Sequence, residues 1–186
     1  MIATLRLYRL LAVLLAVAIT LAATPRPASA VDPRLASEAS AALRSLYARQ
    51  PAAKALSARA TAVLVFPTMV KAGFMFGGQI GEGVLLKNGR PAGYYNSVAA
   101  SYGFQAGIQS FGYALFFMSD DALRYLDQTK GFEIGVGPSV VIVDQGVARS
   151  ITTSTLASDV YAFIFDQRGL MAGVGIQGSK ITRIDQ

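Results

Sequence analysis

The sequence predicts an α+β fold, in which an N-terminal helical arm precedes a strongly curved, glycine-rich antiparallel β-sheet or partial barrel with one inserted helix. Three observations predict it. Residues 32–50 carry apolar side chains at helical spacing. From residue 61 onward, short apolar or alternating runs are separated by turn signals typical of strands. Many of the 18 glycines lie inside these runs, which favours a sheet that bends around a small core.

The first thirty residues are typical of a secretory signal peptide. Arg6 and Arg9 precede an apolar run at 10–23, and the segment closes with Ala28-Ser29-Ala30. The run is shorter than the roughly 20 residues of a membrane-spanning helix. We therefore expect cleavage after Ala30 and export to the periplasm or the exterior, with peripheral attachment to a membrane. The alternative is an uncleaved N-terminal anchor.

Charge is unevenly distributed along the chain, whose formal net charge is +6. Residues 1–30 hold three arginines and no acid, residues 31–60 hold five basic and two acidic residues, and residues 61–186 hold nine of each. Residues 31–186, which would remain after cleavage, have a formal net charge of +3. This net charge is confined to a basic arm at 31–60, which precedes a neutral β domain at 61–186. We expect 31–186 to fold as one unit.

The composition excludes several classes of chemistry. The chain has no His and no Cys, which removes disulfides, thiolate metal sites, Ser-His-Asp triads and the commonest general base. An enzyme that uses only Asp, Glu, Lys or Tyr stays possible, but the sequence shows no convergent group that would form a catalytic or metal site. The motif G-x-G-x-x-G at 173–178 is not a nucleotide site, because too few residues follow it for the helix that such a site needs.

The arm is predicted to be a helix over 32–50, with Asp32 as its N-cap and Pro33 in its first turn. Pro51 should break it, and a second helical piece is predicted at 52–60. The first helix is amphipathic and admits two interpretations. It can lie on an anionic membrane with its arginines toward the headgroups, or it can pack on the sheet with its arginines in water. Its apolar face comprises Leu35, Ala39, Ala42, Leu43, Leu46 and Tyr47.

The sheet begins with a short predicted strand at 62–66 that Pro67 closes. A second strand, 84–87, leads into Asn88-Gly89, a strong hairpin signal. Residues 95–118 form a long alternating strand with two different faces. Val98, Ala100, Tyr102, Phe104, Ala106 and Ile108 share one face, and Ser97, Ser101, Gln105 and Gln109 share the other.

The inserted helix should start after Ser119 and end near Gly131. Further strands are predicted at 132–136, at 139–143, at 147–152 after a turn at 144–146, and in a hairpin of 160–165 and 170–176 around a turn at 166–169. A last strand is predicted at 179–184.

Several blocks in order resemble the SYLF lipid-binding domain, and the resemblance runs from about Ala53 to Ile184. The blocks are Val65-Phe66-Pro67 with Lys71-Ala72-Gly73-Phe74, Gly77-Gly78 with Gly81-Glu82-Gly83-Val84, residues 102–110 (YGFQAGIQS), residues 135–138 (GVGP), and residues 168–174 (RGLMAGV) with Gly178-Ser179. The family includes phosphoinositide-binding proteins, yeast endocytic proteins that bind actin, and exported bacterial members.

The resemblance implies lipid binding through basic residues of the N-terminal part, without catalysis or a cofactor. By position these residues are Arg44, Arg49, Lys54, Arg59 and Lys71. The usual Trp after the first hairpin is replaced by Tyr94-Tyr95, and the sequence ends before the tyrosine-containing tail that often follows. We expect an anionic phospholipid membrane surface as the partner. Nucleic acid is not expected, and neither is actin binding by an exported protein.

Two other functions stay open from the residues. The curved sheet could enclose an apolar cavity lined by Phe104, Ile108 and Phe116, which would make the protein a carrier of a small apolar ligand or lipid. A small outer-membrane protein of about eight strands is also conceivable by length. The charged, non-aromatic terminus at 183–186 and the basic helix speak against it.

Overall fold

The computed structural model describes residues 33–128, 132–133, 138–143 and 158–184. Val31–Gln186 forms one compact unit. Several predicted features lie outside the described residues: the signal peptide at 1–30, the N-cap Asp32, the helix end at Gly131, the end of the strand predicted at 132–136, and the turn and strand at 144–152.

Two helices form the arm. Helix α1 spans Leu35–Arg49 and helix α2 spans Pro51–Ser57. Between them Gln50 adopts an extended conformation, with φ of −125° and ψ of 90°, and Pro51 opens α2, as expected of a residue with a fixed φ and no N–H. The first helix starts later than predicted, since Arg34 takes the N-cap position and Pro33 precedes it.

The first two strands form a long hairpin. Strand β1 spans Ala62–Lys87 and strand β2 spans Arg90–Phe117. The predicted turn is confirmed, with left-handed φ of 51° at Asn88 and 73° at Gly89. The prediction that Pro67 closes the first strand is wrong. Between Phe66 and Met69 the register with β2 shifts by one extra residue, and a β-bulge accommodates a proline.

Helix α3 spans Asp120–Gln128 and follows β2 directly. The predicted cap is confirmed, because the Ser119 hydroxyl accepts a hydrogen bond from the Ala122 N–H at 3.2 Å. Two short strands come next along the described chain, β3 at Phe132–Glu133 and β4 at Val140–Ile142.

Strand β5 spans Val160–Ile184 and pairs with β2 along its length. The predicted hairpin at 166–169 is wrong, since the chain keeps its direction there. Asp166 and Gly169 have left-handed φ of 54° and 89°. Here β5 holds one residue more than β2, since two residues of β5 lie opposite the single residue between Ser110 and Gly112 of β2. The positive φ values therefore produce a β-bulge and a bend in β5, and the chain does not reverse its direction.

The described strands form one sheet in the order β1-β2-β5-β3, and β4 also pairs with β5. All pairs are antiparallel except β4 with β5, which is parallel, so the expectation of a purely antiparallel sheet is wrong at this strand. The predicted class is confirmed: helices precede a strongly curled half-barrel sheet.

Glycines allow the sheet to fold over on itself. A Cβ on Gly83 would lie 2.6 Å from the Phe66 ring and 2.8 Å from the Val65 carbonyl oxygen, so the two halves of β1 touch there. At the corner between the halves, a Cβ on Gly73 would lie 2.6 Å from the Gly77 Cα. Both contacts require the absence of a side chain.

The curl gives the sheet an inner and an outer face. On β2, odd-numbered residues from Tyr95 to Ser101 are buried and point inward, whereas the even-numbered ones from Asn96 to Tyr102 are exposed. The inner core packs against α3 and the outer core packs under α1 and α2. The inner core includes Leu64, Phe66, Leu85, Tyr95, Leu115, Leu123 and Leu126, and the outer core includes Leu43, Leu46, Leu56, Val65, Phe116 and Phe163. All of these described core residues lie within the compact unit Val31–Gln186.

Candidate membrane-binding surface and inner cavity

The basic arm covers one end of the outer face. Leu35, Ala39, Leu43 and Leu46 of α1 are buried and belong to the outer core. The second interpretation of the amphipathic helix is thus the correct one: its apolar face packs on the sheet. That face is therefore unavailable to a membrane, and the arm presents only its polar side.

Four of the five predicted lipid-binding residues lie on this arm. Arg44, Lys54 and Arg59 are exposed on α1, on α2 and just after it. Their charges are the part of the arm that an anionic surface can reach. The structure therefore places these three positions on the exposed part of the arm.

Arg49 has a structural partner. Its guanidinium forms an ion pair with Asp166 at the bend of β5 and donates a hydrogen bond to the Ser45 hydroxyl at 2.7 Å. The pair is partly exposed, so its contribution to stability is modest, about 0–1 kcal/mol. It nevertheless ties the end of α1 to the bend of β5 and reduces the charge that Arg49 offers to a membrane.

Lys71 is separated from the other four. It lines the inner cavity, not the outer face that the arm covers. The cause is the bulge between Phe66 and Met69. Val63 and Val65 belong to the outer core, and without the extra residue Lys71 would share their face.

The inner cavity has a volume of about 370 Å³ and a mixed lining, in which amides, hydroxyls and one ammonium group share the wall with apolar surface. Gln79 and Ser97 are 7% and 2% exposed. Aromatic rings of the inner core close one side of it. The lining comprises Lys71, Gln79, Ser97, Gln109, Phe111, Tyr113, Ile142, Ile164, Gln167 and Ser179.

The apolar cavity predicted around Phe104, Ile108 and Phe116 is not where the sequence placed it. Ile108 is 63% exposed, and Phe116 is buried in the outer core beneath the arm. Both are even-numbered residues of β2 and therefore lie on the outer face. The Phe104 side chain lies outside the described residues. The cavity is lined instead by the opposite face of the same strand, through Ser97, Gln109, Phe111 and Tyr113.

Tyr95 and Asp127 join the sheet to α3 on the inner side. The Tyr95 hydroxyl donates a 2.6 Å hydrogen bond to Asp127, and Arg183 donates to the same carboxylate at 3.1 Å. Burial raises the pKa of Tyr95, and the Asp127 carboxylate raises it further. The phenol thus stays a hydrogen-bond donor at neutral pH. Tyr95 thus anchors β2 to α3.

Sequence reasoning missed an exposed apolar surface. Several large apolar side chains on the outer face, beyond the reach of the arm, are open to solvent. The alternation of polar and apolar residues in β2 contained the signal. This alternation identifies two distinct faces of β2 but does not show which of them faces solvent.

The described residues contain neither a candidate metal-binding cluster nor a candidate membrane-spanning helix. No group of three or more acidic residues is arranged so that it could hold a metal ion. No helix in the described ranges is both long and apolar enough to cross a bilayer.

Comparison with known proteins gives one match. Residues 98–186 match the family Ysc84, described as Las17-binding protein actin regulator. No curated protein matches the chain significantly. The matched range contains three of the five blocks that carry the SYLF resemblance, those at 102–110, 135–138 and 168–179, while the blocks at 65–84 precede it. From residue 98 onward, the chain is therefore similar to the Ysc84 (SYLF) family, which is related to yeast Las17-binding actin regulators.

Proposed function

We propose that this is an exported, non-enzymatic protein that docks on anionic phospholipid through its basic N-terminal arm. Similarity to this family supports a binding role connected with lipids or actin regulation. The observation that carries the proposal is the placement of charge. The arm holds the net +3 of residues 31–186, and Arg44, Lys54 and Arg59 project from it into solvent. The leader-like segment at 1–30 favours a lipid surface outside the cytoplasm over actin.

The electrostatic attraction alone is moderate. Each Lys or Arg near an anionic leaflet contributes about 1 kcal/mol, so a net charge of +3 contributes about 3 kcal/mol. That is less than the binding free energy of roughly 4 kcal/mol that corresponds to a millimolar dissociation constant. Binding should accordingly be strongly salt-dependent, because exposed charges are screened over about 10 Å at 0.1 M salt.

Charge reversal on the arm tests this function. Arg44→Glu in the 31–186 unit should weaken binding to vesicles of anionic phospholipid by about five- to thirtyfold at low salt, as expected for about 1–2 kcal/mol. Co-sedimentation measures it. The matched control is Arg124→Glu, which changes the charge equally on α3, on the inner side of the sheet. Equal losses for the two variants, or no binding of the parent protein to anionic vesicles, would contradict the proposal.

A carrier role is the second candidate, and the mixed lining of the inner cavity suits a ligand that has both an apolar part and an anionic group. Native mass spectrometry of freshly purified protein should then show a retained small molecule that Lys71→Gln loses and Arg44→Glu keeps. Lys71 is the one cation among the described lining residues, so an anionic group is the chemistry that it would select. Protein that is consistently empty would argue against this role.

A further inference from the structure

The six most exposed large apolar side chains of the described residues share the outer face of the sheet. Each has at least 59% of its surface exposed. We call them the outer apolar surface. They are Phe74, Phe76, Ile80, Tyr102, Ile108 and Leu170.

These side chains are neighbours across three strands. The rings of Phe76 and Tyr102 lie 5.0 Å apart, and Ile108 is the register partner of Leu170. Tyr102 and Ile108 are even-numbered residues of β2, like Phe116, which packs beneath the arm. The outer apolar surface is therefore the continuation of the face that the arm covers.

At this end of the sheet, the polarity of the two faces is the reverse of that in a typical water-soluble fold, where apolar side chains are buried and polar ones face solvent. Ser97 and Gln79 are buried on the inner face, while aromatic and aliphatic side chains occupy the outer one. Scattered exposed apolar residues are ordinary, but a contiguous group of this kind marks an interaction site.

Charge favours an anionic bilayer as the partner. The strand segments that carry the outer apolar surface, 67–81, 97–110 and 167–184, contain four basic residues and no Asp or Glu, while Glu82 and Asp166 lie at their ends and Glu133 of β3 pairs with Lys180. Two of the four, Arg168 and Lys180, are paired with even-numbered residues of β2 and so lie on the outer face. A second copy of the chain would bring like charges together, whereas an anionic bilayer complements them.

We propose that the outer apolar surface enters the interfacial region of an anionic bilayer while the arm contacts the headgroups. This rests on the proposed function and names the part of the molecule that penetrates. Phe74 and Phe76 lie at the corner that Gly73 and Gly77 form, so we expect these two rings to enter the bilayer first. Penetration is shallow, because β1 ends the order of the described strands and its outer edge carries backbone groups that need water.

A tryptophan reporter tests penetration directly, since the chain contains no Trp. Phe76→Trp in the 31–186 unit, mixed with anionic vesicles, should shift its emission to the blue and be quenched by phospholipid brominated on its acyl chains. The matched control is Ile142→Trp, an exposed apolar position at the inner cavity, which should not be quenched. If the Phe76→Trp variant sediments with the vesicles but its emission is unquenched, the penetration proposal fails and the docking function stands.

A polar double substitution measures the contribution to binding. Phe74→Ser with Phe76→Ser should weaken vesicle binding at least tenfold and leave thermal unfolding unchanged, while Ile142→Ser should leave binding within twofold. If the double variant loses self-association and keeps vesicle binding, the surface pairs with a second copy, and the proposal is overturned. If the parent protein does not bind anionic vesicles at all, both the docking function and this inference fall.

Discussion

Phe116→Ala should lower the free energy of unfolding by about 3–5 kcal/mol, the usual cost of removing a buried phenylalanine. The ring is fully buried between the arm and the sheet. It lies 6.4 Å from the Tyr47 ring of α1 and 5.2 Å, edge to face, from the Phe163 ring of β5. Its removal leaves a cavity at the contact that holds the arm. Urea unfolding of the 31–186 unit followed by circular dichroism measures the loss.

The arm should also come loose in this variant, with faster tryptic cleavage after Arg44 and Arg49. Phe74→Ala is the matched control, because the same truncation at a side chain 76% exposed should change stability by no more than about 0.5 kcal/mol. Similar losses at the two positions would mean that the arm is not packed on the outer face.

Gly83→Ala should destabilise the protein by about 1–3 kcal/mol, although alanine is normally the better residue in a strand. The added Cβ would lie 2.8 Å from the Val65 carbonyl oxygen and 2.6 Å from the Phe66 ring. A backbone oxygen cannot turn away as a side chain can, so the two halves of β1 would have to separate. Thermal unfolding reports the effect.

Gly78→Ala is the control for this substitution. It lies in the same strand, but its Cβ would meet nothing closer than the Ala99 carbonyl oxygen at 3.9 Å. We expect no loss of stability, or a gain of a few tenths of a kcal/mol. Equal behaviour of the two alanine variants would refute the close contact that the curl of the sheet creates.

The sequence predicted the class of fold, the basic arm and the two faces of β2, because each depends on local spacing. It could not predict which face turns inward. That depends on where the arm packs and on which side the two halves of β1 meet, and both contacts join distant residues. Asp166 and Gly169 show a second kind of ambiguity. Residues that tolerate positive φ favour a hairpin turn and a β-bulge alike.

The candidate site was predictable only in part for the same reason. The positions of Arg44 and Lys54 follow from helical spacing and were expected on a polar side. The ion pair of Arg49 with Asp166 joins residues more than a hundred positions apart, and no local pattern indicates it. The face of Lys71 depends on a single extra residue near Pro67, and one residue in a strand reverses every side chain beyond it.

The pairing of β2 with β5 has a consequence for folding kinetics. Tyr94 pairs with Ile184, and Phe117 at the other end of β2 pairs with Val160. Such distant partners must close large loops before their contacts are gained, so a domain of this topology folds in milliseconds to seconds. Until β5 pairs with it, β2 keeps one unpaired edge, so the described sheet is complete only after its last strand along the chain has been made.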